Sequence, residues 1–239
     1  MIIREGSPLI AIPQAAHAEL TAQLARNLNY ASVRLSYPPE IWFQAVARHD
    51  DGWLLWDRKP ETNPDTGIWY NFMKMPAATH LYIWKRAVES SEGLHPAVTW
   101  WISRHVVRLL DYHDWSAEGY YVQNQATKFK KEQQLLQNRL LSNVKQIPQY
   151  DALDELLAQC DWLSLVLCMG HQQGEVLPMF AENDTTPEIE IKGEDIRVKN
   201  VSIFSGDFQC KVEAFKIPGE SANSLHECDP VTLCWNVIS

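Results

Sequence analysis

Polar side chains that could do chemistry sit on helical faces that are otherwise apolar: His17, His49 with Asp50 beside it, His80, His105 and Asp161. Imidazole nitrogen and carboxylate oxygen both ligate zinc, iron and manganese, and a mixed set holds one ion or bridges two. In the His49-Asp50 doublet the side chains diverge enough for the carboxylate to bridge while the imidazole binds one ion. Taken singly, each histidine reads as a hydrogen-bonded core residue. Taken together, burying so many polar groups without a shared purpose would cost on the order of several kcal/mol, so a metal centre is the expected chemistry. Asp51 reads equally as a carboxylate that orients a ligand histidine or as an ordinary helix-end acid. With Arg48 and Arg104 it completes the candidate catalytic set. His95, just before Pro96, suits a helix cap. His113-Asp114 is a second doublet without companions. His171 and His226 fall outside the helical body and are expected on the surface.

Helices must carry these groups. Pro13 suits a first helical turn, and His17, Leu20, Leu24 and Leu28 recur at helical spacing, predicting a helix over about 14–27. A second helix follows Pro38-Pro39, puts Trp42, Ala45, Val46 and His49 on one face, and is expected to stop at Gly52. Residues 58–76, with three prolines and the turn Asn63-Pro64-Asp65-Thr66-Gly67, predict a long loop of the kind that serves as a lid. A third helix from Pro76 aligns His80, Ile83, Trp84, Ala87 and Val88. A fourth from Pro96 aligns Val98, Trp101, Ile102, His105, Val106 and Leu109. Residues 117–143 predict a long polar helix with a stripe of Leu135, Leu136, Leu140 and Leu141, ended by Pro148. The last helix, about 151–169, is the most apolar and carries Asp161 in its middle, where an acid requires a partner. Trp53, Trp56, Trp69, Tyr70 and Phe72 form an aromatic wall for a substrate pocket beside the doublet.

Beyond Gly170 the character changes to alternating segments, EIEIK, IRVKNVSIF, FQCKVEAFKI and VTLCWNVI, which predict antiparallel strands; MIIRE and LIAI predict a hairpin at residues 1–12. The expected fold is mainly α, a helical bundle with a small antiparallel sheet from the C-terminal strands, the N-terminal hairpin being a candidate to complete it. Residues 1–175 form the expected metal-binding domain, and 176–239 a β-rich region packed on it. The 239 residues carry a net charge of -9 and no long basic run, which disfavours nucleic acid and anionic membranes. No apolar stretch approaches the roughly 20 residues of a membrane-spanning helix, and no secretory signal opens the chain. A cytoplasmic location is expected. Five cysteines, odd in number and without C-x-x-C spacing, predict buried free thiols.

The order His17, His49-Asp50, His80, His105, Asp161 resembles the HD-domain superfamily, helical metal-binding proteins with a His, a His-Asp doublet, two further His and a final Asp on successive helices. The resemblance spans most of residues 10–170. The segments ARHDDGW and CDWLSLVLC also look like an uncharacterised bacterial family known only as a domain of unknown function. HD-type sites with two additional histidines imply two divalent ions, iron, manganese or zinc. They also imply either phosphohydrolase chemistry on a small phosphorylated metabolite or diiron oxygenase chemistry on a small polar substrate. Many such sites continue the doublet as His-Asp-x-Gly-Lys, the lysine holding an anion; here Trp53 stands at that place. Phosphate binding would then rest on Arg48, Arg58, Lys59, Arg104 or Arg108. The non-enzymatic alternative is a degenerate site in a binding protein whose sheet edge, formed by IRVKNVSIF and FQCKVEAFKI, mediates homo-oligomerisation or partner contact.

Overall fold

A computed structural model describes residues 1–32, 34–171, 173–174, 188–199, 202–218 and 224–238. The α-helices are α1 (Gln14–Arg26), α2 (Glu40–Arg48), α3 (Leu54–Arg58), α4 (Ala77–Ser91), α5 (Pro96–Tyr112), α6 (Tyr120–Val144) and α7 (Tyr150–Met169). Apart from α3, which no sequence cue announced, their bounds follow the sequence cues closely, because the apolar faces and the proline starts act locally. His95 caps α5 by accepting from the Ala97 N–H, as its position before Pro96 implies. Segment 58–76 is not a featureless loop. It contains a Thr62–Trp69 bridge and a 3-10 turn at Phe72–Lys74.

Two local expectations are corrected. α2 ends at His49 rather than at Gly52, and the chain continues through a 3-10 turn at Asp51–Trp53. Gly52 serves close packing: a Cβ there would lie 2.2 Å from the Ile83 carbonyl oxygen and 2.6 Å from the Ala87 nitrogen of α4. On α6 the buried face is Ala126, Phe129, Gln133, Gln137 and Val144; of the expected stripe, Leu136, Leu140 and Leu141 pack half-buried against the core and Leu135 is exposed. Ser103 of α5 brings the two glutamines in: its hydroxyl donates to Gln133 Oε1 (3.0 Å) and accepts from Gln137 Nε2 (2.9 Å), so both amides find a partner in the α5–α6 seam.

The strands are β1 (Ile2–Arg4), β2 (Ile10–Ile12), β3 (Gln173–Gly174), β4 (Glu188–Lys192), β5 (Asp195–Lys199), β6 (Phe208–Lys216) and β7 (Asp229–Ile238). They form one seven-stranded sheet in the order β1-β2-β6-β7-β5-β4-β3. The sheet is therefore larger than the small one expected, and the N-terminal hairpin is built into it through β2–β6. All neighbours are antiparallel except β5–β7, which run parallel. β5 and β6 are interior strands, so neither offers the open edge inferred from their sequences. Of the segment IRVKNVSIF, residues 200–201 lie outside the described residues. Cys210, Val212 and Ala214 face the core, and Lys211 and Glu213 face out. Lys216, which alternation places on the face of Val212, is exposed, since β6 ends there.

The sheet packs on the helices through one apolar cluster that joins Leu20 and Leu24 of α1, Leu156 and Leu163 of α7, and Val212, Ala214 and Trp235 of the sheet. Gln23 of α1 exchanges two hydrogen bonds with the backbone of Lys211, each 3.0 Å, where β2 no longer covers β6. At the C-terminus of α7, Gly170 adopts a left-handed conformation (φ 76°) against the Arg4 guanidinium of β1. All five cysteines are free and four are buried. No described helix is long and apolar enough to cross a membrane.

Candidate metal centre

α1 and α7 lie side by side and bring His17 and Asp161 together. One turn further along, Thr21 and Ser164 meet hydroxyl to hydroxyl at 2.7 Å, which fixes the register of the two helices beside the site. One of the two hydroxyls donates to the other, which leaves only its partner's hydrogen for a carbonyl of its own helix; Thr21 lies 3.0 Å from the His17 carbonyl and Ser164 2.8 Å from the Asp161 carbonyl. α2 joins this pair through Trp42, whose indole N–H donates to the Leu153 carbonyl at 3.0 Å, and so delivers His49 and Asp50 at its end. α5 brings His105, whose ring meets His49 edge to face at 4.7 Å.

His17, His49 and Asp161 are buried and offer ligand atoms that all lie within 4.8 Å of one another, a group that could hold a metal ion. Asp161 Oδ1 is 3.2 Å from both His17 Nε2 and His49 Nε2, and Asp50 Oδ2 is 3.5 Å from His49 Nε2 and 3.4 Å from His17 Nδ1. Bonds of about 2.1 Å to a single ion set neighbouring ligand atoms about 3.0–3.4 Å apart in octahedral or tetrahedral geometry, so these spacings suit a coordination shell. The other oxygen of Asp161 faces His105 Nε2 at 3.8 Å.

The His49 ring is oriented by its backbone. Its Nδ1 lies 2.7 Å from the Val46 carbonyl oxygen, which only accepts, so the proton of the neutral ring sits on Nδ1. The lone pair on Nε2 then points at two carboxylate oxygens, an arrangement that requires a cation or a proton between them. Burial disfavours charge on His17, yet Asp161 and Asp50, facing its two nitrogens, raise its pKa to about 9. His49 is raised as well, burial being outweighed by Asp50 and Asp161. Burial would raise both carboxyls, but the facing histidines hold Asp50 below and Asp161 well below the usual carboxylate range. Without metal, ring protons therefore balance the carboxylates; with metal, the ion takes that role, and the two compete. Burial, reinforced by His49, lowers His105 to about 4, so its ring is neutral and its buried Nδ1 has no partner.

A cavity of about 100 Å³ opens beside the cluster, lined by Gln14, His17, Asp50, Trp53, Phe72, His80, Trp84, His105, Leu109, Asp161 and Leu165. His80 thus reaches the cavity but stands apart from the converging ligands. Its Nε2 donates to the Phe72 carbonyl at 2.6 Å, and its ring rests edgewise on Trp53 and Trp84. Burial lowers its pKa to about 4. Of the expected aromatic wall, Trp53 and Phe72 line the cavity, Trp56 and Tyr70 pack behind Trp53, and Trp69 belongs to a separate cluster with Met1 and Ile3.

The expected catalytic charges are engaged elsewhere. Arg48 donates to Asp51 at 2.7 Å on the surface, so Asp51 is held by that arginine rather than by a ligand histidine. Arg104 binds Asp154 at 3.1 Å and stacks over Trp100, Arg108 binds Asp154 and Glu155, and Arg58 and Lys59 are exposed. Gln14 was not anticipated from sequence; its place three residues before His17, on the same helical face, is the signal that could have found it. His113 pairs with Glu118, and Asp114 caps the 3-10 turn that follows, which accounts for the second doublet.

No curated protein and no solved structure matches the chain at a significant level. With residues 1–219 matching its family pattern, a span that takes in the helices, the hairpin and β6, the chain belongs to the family described as Protein of unknown function (DUF3891).

Proposed function

We propose that this protein is a metal-dependent hydrolase of the HD type acting on a small metabolite, with His17, His49 and Asp161 as primary ligands and Asp50 beside them. The observation that carries the reading is the His49 ring, locked by the Val46 carbonyl so that Nε2 faces the oxygens of Asp161 and Asp50. Ligand order supports the HD type, since His17 on α1, the doublet at the end of α2, His105 on α5 and Asp161 on α7 follow the order the resemblance implies. Asp161 supports a second ion, because its Oδ2 faces His105 while its Oδ1 faces His17 and His49. Divalent ions held there would supply Lewis-acid polarisation and make a water molecule nucleophilic near neutral pH, or, as two irons, would activate dioxygen.

The residues do the rest. Asp50 and Asp161 would balance the charge of bound ions, the Val46 carbonyl holds His49 in one tautomer, and Trp53, Phe72 and Trp84 give the cavity an apolar wall. A phosphorylated substrate would draw on the ions alone for its charge, since no lysine or arginine lines the cavity among the described residues. That wall favours a small neutral substrate, and it is the reason for keeping the diiron oxygenase as the second reading. Metal analysis of protein purified without chelator tests the proposal. Stoichiometric manganese, iron or zinc, lost in His49→Ala, is expected; iron with oxygen consumption would select the oxygenase, and metal-free protein that gains none on loading would sink both.

A further inference from the structure

Gln14 is a polar group of the cavity wall that the proposed metal ligands leave unused. Gln14 begins α1, one turn ahead of His17, and lines the cavity while only 3% exposed. Its backbone N–H donates to Asp57 at 2.6 Å, which fixes the start of the helix, but its side-chain Oε1 is buried with no hydrogen-bond partner. A buried acceptor without a partner weakens the fold, and a methionine or leucine would fill the same space without that cost. Such an acceptor is explained when a ligand supplies the donor.

We propose that Gln14 is a ligand-binding residue whose amide oxygen accepts a hydrogen bond from a small neutral substrate carrying an O–H or N–H donor. The substrate would lie between the His17–His49–Asp161 cluster and the Trp53–Phe72–Trp84 wall. The inference rests on the metal reading for what meets the far end of the substrate. Size sets the class, since about 100 Å³ corresponds to about three water molecules. Charge sets it further: among the described residues the lining contains no lysine or arginine. An amide at the first turn carries no net charge, and its oxygen selects by donor geometry.

The test compares the full chain with Gln14→Met, both loaded with cobalt(II). Short alcohols and amides form one set of probes and inorganic phosphate the other, read by the cobalt visible bands and by tryptophan fluorescence from Trp53 and Trp84. Saturable responses to members of the neutral set are expected from the wild type, weakened at least about tenfold in Gln14→Met. The variant is expected to keep its cobalt and to melt at the same or a higher temperature. A lower melting temperature would mark Gln14 as structural and overturn the inference. So would equal responses from the two proteins, silence to every neutral probe, or saturation by phosphate alone. A wild type that takes up no cobalt would overturn the metal reading instead, and the fluorescence titrations then decide on Gln14 independently.

Discussion

Asp154 and Asp161 stand two turns apart on α7, both buried, and differ in what they face. Asp154 meets the guanidinium groups of Arg104 and Arg108, cations that need no metal. Asp161 meets imidazole nitrogens, which carry a cation only when protonated or when an ion lies between. Asp161→Asn is therefore expected to abolish metal uptake and, by leaving His17 and His49 without their carboxylate, to destabilise the metal-free protein by about 3 kcal/mol or more. Asp154→Asn is expected to lower stability while metal content stays at the wild-type level. Metal analysis and urea unfolding of the two variants check the contrast. Asp161 was legible in the sequence because an acid inside an apolar helix must have a partner. Which partner it has was not, since Leu153–Asp154 and Cys160–Asp161 look alike in one dimension. His80 makes the same point from the other side: its helical face is correctly read, but the Phe72 carbonyl that engages Nε2 comes from a turn whose path sequence periodicity does not encode.

At the scale of elements, the turn after the doublet is the sensitive joint. Asp50 is followed at once by Asp51–Trp53, and that turn lies against α4 only because Gly52 has no side chain. Gly52→Ala would drive a methyl group into the Ile83 carbonyl and the Ala87 nitrogen, both backbone atoms that cannot rotate away. The expected loss is about 1–3 kcal/mol, at the level of overpacking in a core, with a weaker metal affinity because Asp50 must move with the turn. Chemical unfolding and competitive metal titration measure the two effects, and an unchanged protein would contradict this account of the turn. Helix bounds were readable because capping and apolar periodicity act over a few residues. The role of Gly52 was not, because it depends on an α4 backbone about thirty residues away. Leu136, Leu140 and Leu141 of the α6 stripe pack half-buried against the core, but Leu135 is exposed, and Ser103 turns Gln133 and Gln137 into interior residues although composition alone ranks leucine above glutamine.

For the molecule as a whole, the centre links pH, metal and stability. In the metal-free protein the His17 pKa is raised from 6.5 to about 9. A raised folded-state pKa contributes stability that is complete below about 6.5 and lost as pH rises through about 9, on the order of 3 kcal/mol. Asp50 and Asp161 act in the opposite direction, with stability that is present above the ordinary carboxylate pKa and lost as pH falls below it. Metal-free protein is thus expected to lose melting temperature between about pH 6.5 and 9, and added zinc to restore it most at the alkaline end, where ring protons no longer compete. Melting curves across that range with zinc and with chelator measure the effect; a zinc shift that grows toward acid pH would contradict the assignment.

By itself the sequence determined the helices, the approximate strands, the chemical character of the candidate ligands and the unusual Trp53 after the doublet. These follow from forces that act within a turn or a strand: apolar spacing, capping, and the need of a buried charge for a partner. Only the tertiary structure decided that the hairpin and C-terminal strands form one sheet, that Arg48 and Arg104 are engaged away from the cavity, and that Gln14 enters it. Those outcomes depend on which surfaces meet across long stretches of chain, and a side chain's partner there is set by packing rather than by its neighbours in sequence.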